Sequence, residues 1–452
     1  MMRRLLVSLA LALSTSAALA NPYEKTLANG LRVIVQEDRR APTAVHMVWY
    51  RAGSMDEVDG ASGVAHVLEH MMFKGTRRLK PGEFNKRVAA AGGRDNAFTS
   101  LDYTAYFQQV PSPRLGEMMA LEADRMANLV LDAKEFAQEI KVVMEERRLR
   151  TEDNPHSLVY EKQMAAAFQA HPYRRPIIGW MNDLENMTAA DARDWYRRWY
   201  APNNAYVIVV GDVNKDAVFR LAEKHYGRIP ARALPGRKPQ LEPVQVGIKR
   251  LVVKAPAKLP YLSMAWKVPV LRDLHKEREP YALEMLAAVL DGHEAARFSR
   301  NLVRGSKVAV SAGAGYDATV RGEALFVVSG TPAEGRSVAE LEAALRAEIV
   351  RVASEGVSAQ ELERVKTQTI AAQVYKRDSM MAQAMEIGRL EASGVHWRDI
   401  DILLEKIRSV TAEEVQAVAK KYFGDATLTV AVLDPQPLPE GAPQKSVPAV
   451  RH

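Results

Sequence analysis

The sequence contains no cysteine, so its fold owes nothing to disulfides and suits an oxidising compartment as well as a reducing one. Beyond the first 20 residues it has no apolar run long enough to span a membrane. It also lacks a strong excess of charge of either sign, with 62 Lys and Arg against 55 Asp and Glu. A net charge this mild gives no reason to expect nucleic acid as a partner.

The N-terminus has the three parts of a secretory signal peptide. Arg3 and Arg4 precede an apolar run over residues 5–13, and small residues stand before Asn21. We therefore expect cleavage after Ala20 and, because the signal looks bacterial, export to the periplasm. An uncleaved anchor is the alternative. Without the two arginines, 60 basic residues face 55 acidic ones, which gives a net charge of +5.

The length of 452 residues, with 47% hydrophobic composition, predicts two domains rather than one core. Residues 228–246 contain four prolines and many charges, which is typical of an extended linker. The prediction is therefore an N-terminal domain at 21–228, a linker at 229–246 and a C-terminal domain at 247–434. A Pro-rich tail at 435–452 is expected to be loose.

An internal repeat supports this division. Residues 188–200 form a helical pattern that ends in an aromatic pair, and an apolar strand follows at 205–210. Residues 411–423 and 428–433 match them without a gap, which indicates a duplicated domain.

Each copy is also predicted to open with a β-hairpin, and Asn29 and Gly30 form the turn of the first one. The paired segments are 31–36 with 45–50 and 251–254 with 262–267. Three later segments are helical by pattern and are predicted to form the outer layer of the second domain: 337–356, 359–373 and 379–394.

The chemistry of the chain is indicated by one short motif. His66, Glu69 and His70 lie among apolar helix formers, which predicts a buried helix over residues 61–72. Residues three and four apart share a helix face, so both imidazoles can point at one metal ion beside the carboxylate. This set suits Zn²⁺, which lowers the pKa of a bound water to about 7 for a neighbouring carboxylate to deprotonate. The order is that of the His-x-x-Glu-His class, and an accidental match on a core helix is the alternative.

A third ligand is expected from a second helix, at residues 135–150. Within it Glu139 and Glu146 lie two turns apart on one face, so one could bind the metal and the other support it. By pattern alone, Glu145 competes with Glu146. A helix rich in glutamate can also be a solvated face.

His66-x-x-Glu69-His70, followed 76 positions later by Glu146, resembles the pitrilysin/insulinase family of zinc peptidases, which includes the mitochondrial processing peptidases. The resemblance implies an α+β fold of two homologous tandem domains, each a mostly antiparallel sheet packed with helices, which enclose a chamber. It implies one Zn²⁺ per chain, held by His66, His70 and Glu146, with Glu69 as catalytic base and Glu139 orienting the ligands. The second domain is expected to hold no metal.

The same resemblance implies a substrate-binding strand. The family has an exposed edge strand of pattern Asn-Ala-Phe/Tyr-Thr, which adds the substrate as an extra strand. Here the pattern begins at Asn96 and Ala97, which are therefore the substrate-binding candidates. The strands are predicted at 97–100 and 103–108, and an ordinary hairpin is the alternative.

One feature of the family is missing. Active members, or their partner subunits, carry an Arg followed seven residues later by a Tyr that helps hold the substrate carbonyl. Here Arg304 is followed by Ser311, Val310 is no substitute, and Tyr316 lies further along. The resemblance therefore predicts a heterodimer with a homologous subunit that lacks the zinc motif but supplies this pair. A homodimer is the other arrangement.

These observations predict a periplasmic zinc endopeptidase that acts on peptides or unfolded segments. The alternative is a non-catalytic structural or peptide-binding subunit of a larger complex.

Overall fold

The computed structural model describes residues 22–438. The predicted signal peptide at 1–20 and the part of the predicted tail beyond 438 lie outside the described residues. Two sheets, each packed with helices, follow one another along the chain, which confirms the predicted α+β class. Between residues 22 and 438 no helix combines the length and the apolar character needed to cross a membrane.

The N-terminal half runs from β1 to α8 and contains a six-stranded sheet in the order β1-β2-β6-β3-β5-β4. Its strands are β1 (Tyr23–Thr26), β2 (Arg32–Glu37), β3 (Thr43–Tyr50), β4 (Arg94–Thr99), β5 (Thr104–Pro111) and β6 (Ala205–Gly211). Its helices are α1 (Val64–Met71), α2 (Glu83–Ala90), α3 (Leu115–Asn128), α4 (Ala133–Arg147), α5 (Pro155–Ala167), α6 (Met181–Asn186), α7 (Ala189–Trp199) and α8 (Lys215–Tyr226).

The C-terminal half runs from β7 to β11 and contains a five-stranded sheet in the order β7-β11-β8-β10-β9. Its strands are β7 (Lys249–Pro256), β8 (Tyr261–Val268), β9 (Ala309–Gly315), β10 (Ala324–Pro332) and β11 (Leu428–Gln436). Its helices are α9 (Glu279–Asp291), α10 (Val338–Glu355), α11 (Ala359–Lys376), α12 (Met380–Ser393), α13 (Ile400–Arg408) and α14 (Ala412–Tyr422).

The two halves repeat one topology. Without β1, the first sheet reads β2-β6-β3-β5-β4, and the second sheet has the same order from β7 to β9. In both, the first strand of the shared order pairs in parallel with the last strand in sequence, and every other pair is antiparallel. The helices also correspond in order: α1 with α9, α4 with α11, α5 with α12 and α6 with α13.

The predicted hairpins are wrong. β2 and β3 are not neighbours, because β6 lies between them, parallel to β2 and antiparallel to β3. Every residue of β6 is buried, so the backbone N–H and C=O groups along both of its edges need hydrogen-bond partners. Asn29 and Gly30 instead turn the chain from β1 into β2, with Gly30 in the left-handed region at φ +85°. In the second sheet β11 separates β7 from β8 in the same way.

Both faces of the first sheet are buried, as the alternation of side chains along its strands requires. On β3, Val48 and Tyr50 pack against helices of the same half. Met47 and Trp49 point to the opposite face, where they join a separate apolar cluster with Ile387. Ile387 belongs to α12, so this second face is covered by the C-terminal half.

The prediction that residues 379–394 belong to the outer layer of the second domain is therefore wrong. α12 lies on the first sheet, with Ala384 and Ile387 in the cluster of Trp49 and Tyr206, and the Tyr206 hydroxyl donates to the carbonyl of Gly388 at 2.7 Å. The amphipathic pattern of α12 identifies an apolar face but not the sheet that this face covers.

The exchange is reciprocal, because α5 of the N-terminal half covers the second sheet. Val159 packs with Val253 and Ala431. Gln163 donates from Nε2 to the carbonyls of Ser263 and Thr429, at 3.1 and 3.2 Å. Each half thus supplies one helix to the sheet of the other.

The Gly388→Ala variant tests this packing. A Cβ at position 388 would lie 2.2 Å from two indole atoms of the fully buried Trp49, so α12 would have to move off the sheet. Overpacking of this kind costs about 1–3 kcal/mol in the free energy of unfolding, which denaturant titration measures. Gly424→Ala is the control, since its Cβ would meet no atom within 4 Å. Equal stability of the two variants would contradict the contact.

The segment between the halves is bound to both of them. The Glu242 carboxylate accepts backbone N–H groups of Gln169, Ala170 and His171, and it pairs with Lys267 of β8 at 2.8 Å. Burial acts to raise the pKa of Glu242, but the hydrogen bond from Lys267 and those backbone donors lower this pKa to about 2. The predicted linker therefore carries a charged contact that ties it to the fold. At the other end of the second half, β11 extends to Gln436 beside β7, so residues 435 and 436, predicted to belong to the loose tail, are part of the sheet.

Candidate metal centre and substrate cavity

The helix that carries the motif is α1, and all eight of its residues are buried. It begins at Val64, three residues later than predicted, after Gly63 in the left-handed region at φ +87°. A Cβ on Gly63 would lie 2.7 Å from the carbonyl oxygen of Ile178, so only glycine allows this approach. The Glu57 carboxylate accepts the N–H groups of Gly63 and Ala65, each at 2.9 Å, where the helix leaves donors unsatisfied.

The structure brings His66, His70 and Glu146 together. One potential ligand atom from each residue lies within 4.8 Å of the others, and all three residues are buried. The nearer Glu146 oxygen is 3.3 Å from His70 Nε2 and 3.8 Å from His66 Nε2. Two imidazole nitrogens and one carboxylate oxygen are ligands that Zn²⁺ prefers, and three protein ligands leave a coordination position open. The donor set therefore fits the metal that the motif predicts.

The two adjacent glutamates of α4 have different surroundings. The Glu145 side chain is 59% exposed and pairs with Arg148 at 3.1 Å, whereas that of Glu146 is 3% exposed and faces the two histidines. Glu146 also pairs with Arg150, in the helical turn Arg148–Glu152 that follows α4. The contacts thus favour Glu146 over Glu145 as the third ligand.

Glu139 lies two turns earlier on the same face of α4. His70 donates from Nδ1 to Glu139 Oε1 at 2.9 Å, which leaves Nε2 as the ring atom turned toward Glu146. Lys74 pairs with the other oxygen of Glu139 at 2.5 Å. Burial acts to raise the pKa of Glu139, but the hydrogen bonds from His70 and Lys74 hold that pKa below its usual value. A charged carboxylate here fixes the orientation of the His70 ring.

Glu69 stands beside this candidate metal-binding group but is not part of it. Its carboxylate accepts the hydroxyl of Thr99 on β4 at 2.6 Å. Burial raises the pKa of Glu69 to about 7, and the Thr99 hydrogen bond opposes that shift. A carboxyl group with a pKa near neutrality is suited to both accepting and releasing a proton.

A cavity of 350 Å³ opens beside these residues, and His66 and Glu69 form part of its wall. Asn96 and Ala97 line it too, both from β4, whose observed span of Arg94–Thr99 begins three residues before the predicted one. β4 is the outermost strand of its sheet and, within residues 22–438, pairs only with β5. Its free edge could accept an extended chain as a further strand.

The cavity wall has parts that the sequence did not indicate. The Tyr173 hydroxyl donates to Asp102 at 2.7 Å, and Arg321 of the C-terminal half donates from its backbone N–H to the same carboxylate at 3.0 Å. These residues attach the wall around Leu101 and Tyr173 to the second half, although no sequence motif links positions so far apart.

The C-terminal half contributes no lining residue to this cavity among the residues described. Arg304 is exposed and donates to the carbonyl of Glu294 at 2.6 Å, and Ser311 is exposed on β9. The Tyr316 hydroxyl donates to the carbonyl of Pro269 at 2.6 Å, inside its own half. Tyr316 therefore does not take the place of the missing tyrosine.

Comparison with known proteins is consistent with this geometry. Residues 32–180 match the family model described as Insulinase (Peptidase family M16), and residues 186–369 match that of the Peptidase M16 inactive domain. The zinc protease PqqE of Helicobacter pylori is 32% identical over 448 residues, which cover 95% of this chain and 97% of that protein. An uncharacterized zinc protease of Mycobacterium tuberculosis is 29% identical over 440 residues, with 95% and 97% covered.

Solved structures show the same fold. The crystal structure of a protease from Helicobacter pylori superposes with a TM-score of 0.87 at 30% identity, over 92% of this chain and 100% of that chain. The periplasmic protease PqqL from Escherichia coli has a TM-score of 0.79 at 18% identity, over 92% of this chain and 48% of that chain. At that identity the second likeness bears on the fold alone.

Proposed function

Because this chain belongs to the insulinase family of peptidases (peptidase family M16), we propose that it is a zinc-dependent endopeptidase that hydrolyses peptides or unfolded segments. The relatives named as zinc proteases support a peptidase. The observation that carries the finer proposal is the buried group of His66, His70 and Glu146, with Glu69 beside it on the wall of one cavity.

The three buried residues would hold one Zn²⁺ per chain. When bound, the ion supplies a Lewis acid and lowers the pKa of water. Glu139 would keep the His70 ring in one tautomer through the hydrogen bond at Nδ1. Lys74, on the other oxygen of Glu139, would keep that carboxylate charged and in position.

Glu69 is the proposed general base and acid. Its carboxylate takes a proton from water as the new C–O bond forms at the scissile carbonyl, and it gives that proton to the amide nitrogen as the C–N bond breaks. Thr99 orients the carboxylate through its 2.6 Å hydrogen bond. Thr99 lies on β4, so the residue that orients the base belongs to the same strand as the proposed substrate-binding edge.

The substrate is proposed to extend along β4 beside Asn96 and Ala97. Backbone pairing with an edge strand gives affinity with little dependence on side chains, so the enzyme would accept varied sequences. The Arg–Tyr pair, which this chain lacks because Ser311 stands seven residues after Arg304, is assigned to a homologous partner subunit without the zinc motif, in a heterodimer in the periplasm. The N-terminal segment read as a signal peptide is the basis for that location.

The proposal is tested by incubating the zinc-loaded mature chain with a mixed pool of short peptides, alone and with the homologous subunit. The partner is expected to raise the rate by about 10²–10³-fold, the effect typical of supplying one donor to the reacting carbonyl oxygen. Full activity from a chain that stays monomeric would contradict the split site. No cleavage in either sample, with zinc bound, would contradict the peptidase and favour the non-catalytic subunit.

A further inference from the structure

A second cavity, of 470 Å³, lies in the C-terminal half. Its walls come from α9, the end of α11, α12 and α13. In the repeated topology these helices correspond to α1, α4, α5 and α6. Of these four, α1, α4 and α5 contribute to the candidate active site or adjoin it. The second cavity therefore lies against the counterparts of three helices that form or adjoin the candidate active site.

The residues that line the second cavity suit a different ligand. It has no histidine, and a large part of its wall is apolar, with Leu271, Met385, Leu403 and Ile407 among the lining residues. From α9, the helix equivalent to the one that carries the zinc motif, it presents Glu284. A cavity of this size, mainly apolar with a few charged groups, is the usual form of a binding site for a small ligand.

Glu284 is a partly buried carboxylate that lacks a counter-charge. Within residues 22–438 it accepts no hydrogen bond and forms no ion pair, and Asp317 adds a second negative charge nearby. The positive charge of Lys376 acts to lower the pKa of Glu284, but Lys376 is itself paired with Glu386 at 3.6 Å. Burial, together with repulsion from Asp317, raises the pKa of Glu284 to about 7. A cationic group entering the cavity would stabilise the charged carboxylate.

A group of opposite charge also lines this cavity. Arg389 of α12 is exposed, lines the cavity, and forms no ion pair with any residue that the structure describes. A guanidinium presents paired N–H donors that match a carboxylate. The cavity thus offers a carboxylate and a guanidinium that do not pair with each other, together with apolar surface.

We propose that this cavity binds a short apolar peptide with free termini. The peptide ammonium group pairs with Glu284, its terminal carboxylate pairs with Arg389, and its side chains pack on Leu403 and Ile407. The peptidase activity proposed for the first half would release short peptides, but the binding requires neither zinc nor catalysis.

The test is a calorimetric titration of the mature chain with the tripeptide Leu-Leu-Leu, in a Glu69→Gln background that prevents turnover. Glu284→Gln and Arg389→Gln are each expected to weaken binding by about tenfold or more, since each removes one charge-assisted contact. Acetylation of the peptide N-terminus should have the effect of the first substitution, and amidation of its C-terminus that of the second. Glu405→Gln, an exposed carboxylate on α13, is the matched control and should bind as the parent does.

Two results would overturn the proposal. One is the absence of binding at millimolar peptide, and the other is binding that neither substitution nor capping weakens, which would put the peptide elsewhere, including on β4. If Glu284→Gln fails to fold, Arg389→Gln and the capped peptides still decide the question. Peptide hydrolysis by the otherwise unchanged chain is a separate measurement, so failure here is distinguishable from failure of the proposed enzyme.

Discussion

Replacing Glu69 by glutamine is expected to lower kcat for peptide hydrolysis by about 10²–10⁴-fold, the range typical for loss of a general acid–base. The amide keeps the size of the side chain and can still hydrogen-bond Thr99, but it cannot accept a proton from water. Because Glu69 is not in the group of potential ligands, zinc should stay bound. The measurement is cleavage of a fluorogenic peptide by the chain in its active form, with its partner if one is needed.

Zinc content and thermal stability, measured on the same samples, separate lost chemistry from lost structure. One zinc per chain and a melting temperature near that of the parent are expected for Glu69→Gln. Hydrolysis at the parental rate by this variant would remove Glu69 from the mechanism. Loss of zinc together with activity would instead give Glu69 a role in holding the metal.

Glu146→Ala is expected to weaken zinc binding by more than the roughly 10–100-fold typical of losing a group that only orients a ligand. Its carboxylate lies between the two imidazoles of α1, and without it only two protein donors remain. Glu145→Ala is a matched control on the adjacent position, because its side chain is largely exposed and contacts Arg148. Competition with a chromophoric chelator measures both affinities.

A second readout of the same pair uses folding. A ligand that binds only the folded chain stabilises it by about 4 kcal/mol at a thousand times its Kd. Zinc should therefore raise the melting temperature of the parent and of Glu145→Ala, and raise that of Glu146→Ala far less. Equal responses from the two variants would exclude Glu146 as a ligand.

The sequence alone was enough to predict that His66 and His70 point at one site, because helix geometry fixes their spacing and their neighbours are apolar. It could not choose between Glu145 and Glu146, since the choice depends on which face of α4 meets α1. The contacts that surround the motif were even harder to predict from the sequence. Thr99 reaches Glu69 from a different element, and Lys74, just after the end of α1, reaches Glu139 on α4.

The errors in the fold have a common physical cause. An apolar strand such as β6 needs a partner on each edge, but its sequence does not say which strands supply them. The pattern of α12 likewise specifies a buried face and not the sheet that it meets. Nothing in the local sequence marks Arg321 or Asp102, because their contact joins positions that are 219 residues apart. Local patterns fix local structure, whereas these contacts depend on long-range pairing.

The exchange of α5 and α12 also dictates an order of events during synthesis. When the ribosome has completed the first sheet, the face that carries Trp49 is still bare, because α12 ends only at Ser393. Conversely, α5 emerges long before β7, β8 and β11, the strands that it covers. A nascent chain stopped between the halves would expose one face of the first sheet and the apolar face of α5, and both surfaces would be prone to aggregation. Each hydrophobic core needs a helix from the other half, so the two cores can be completed only together.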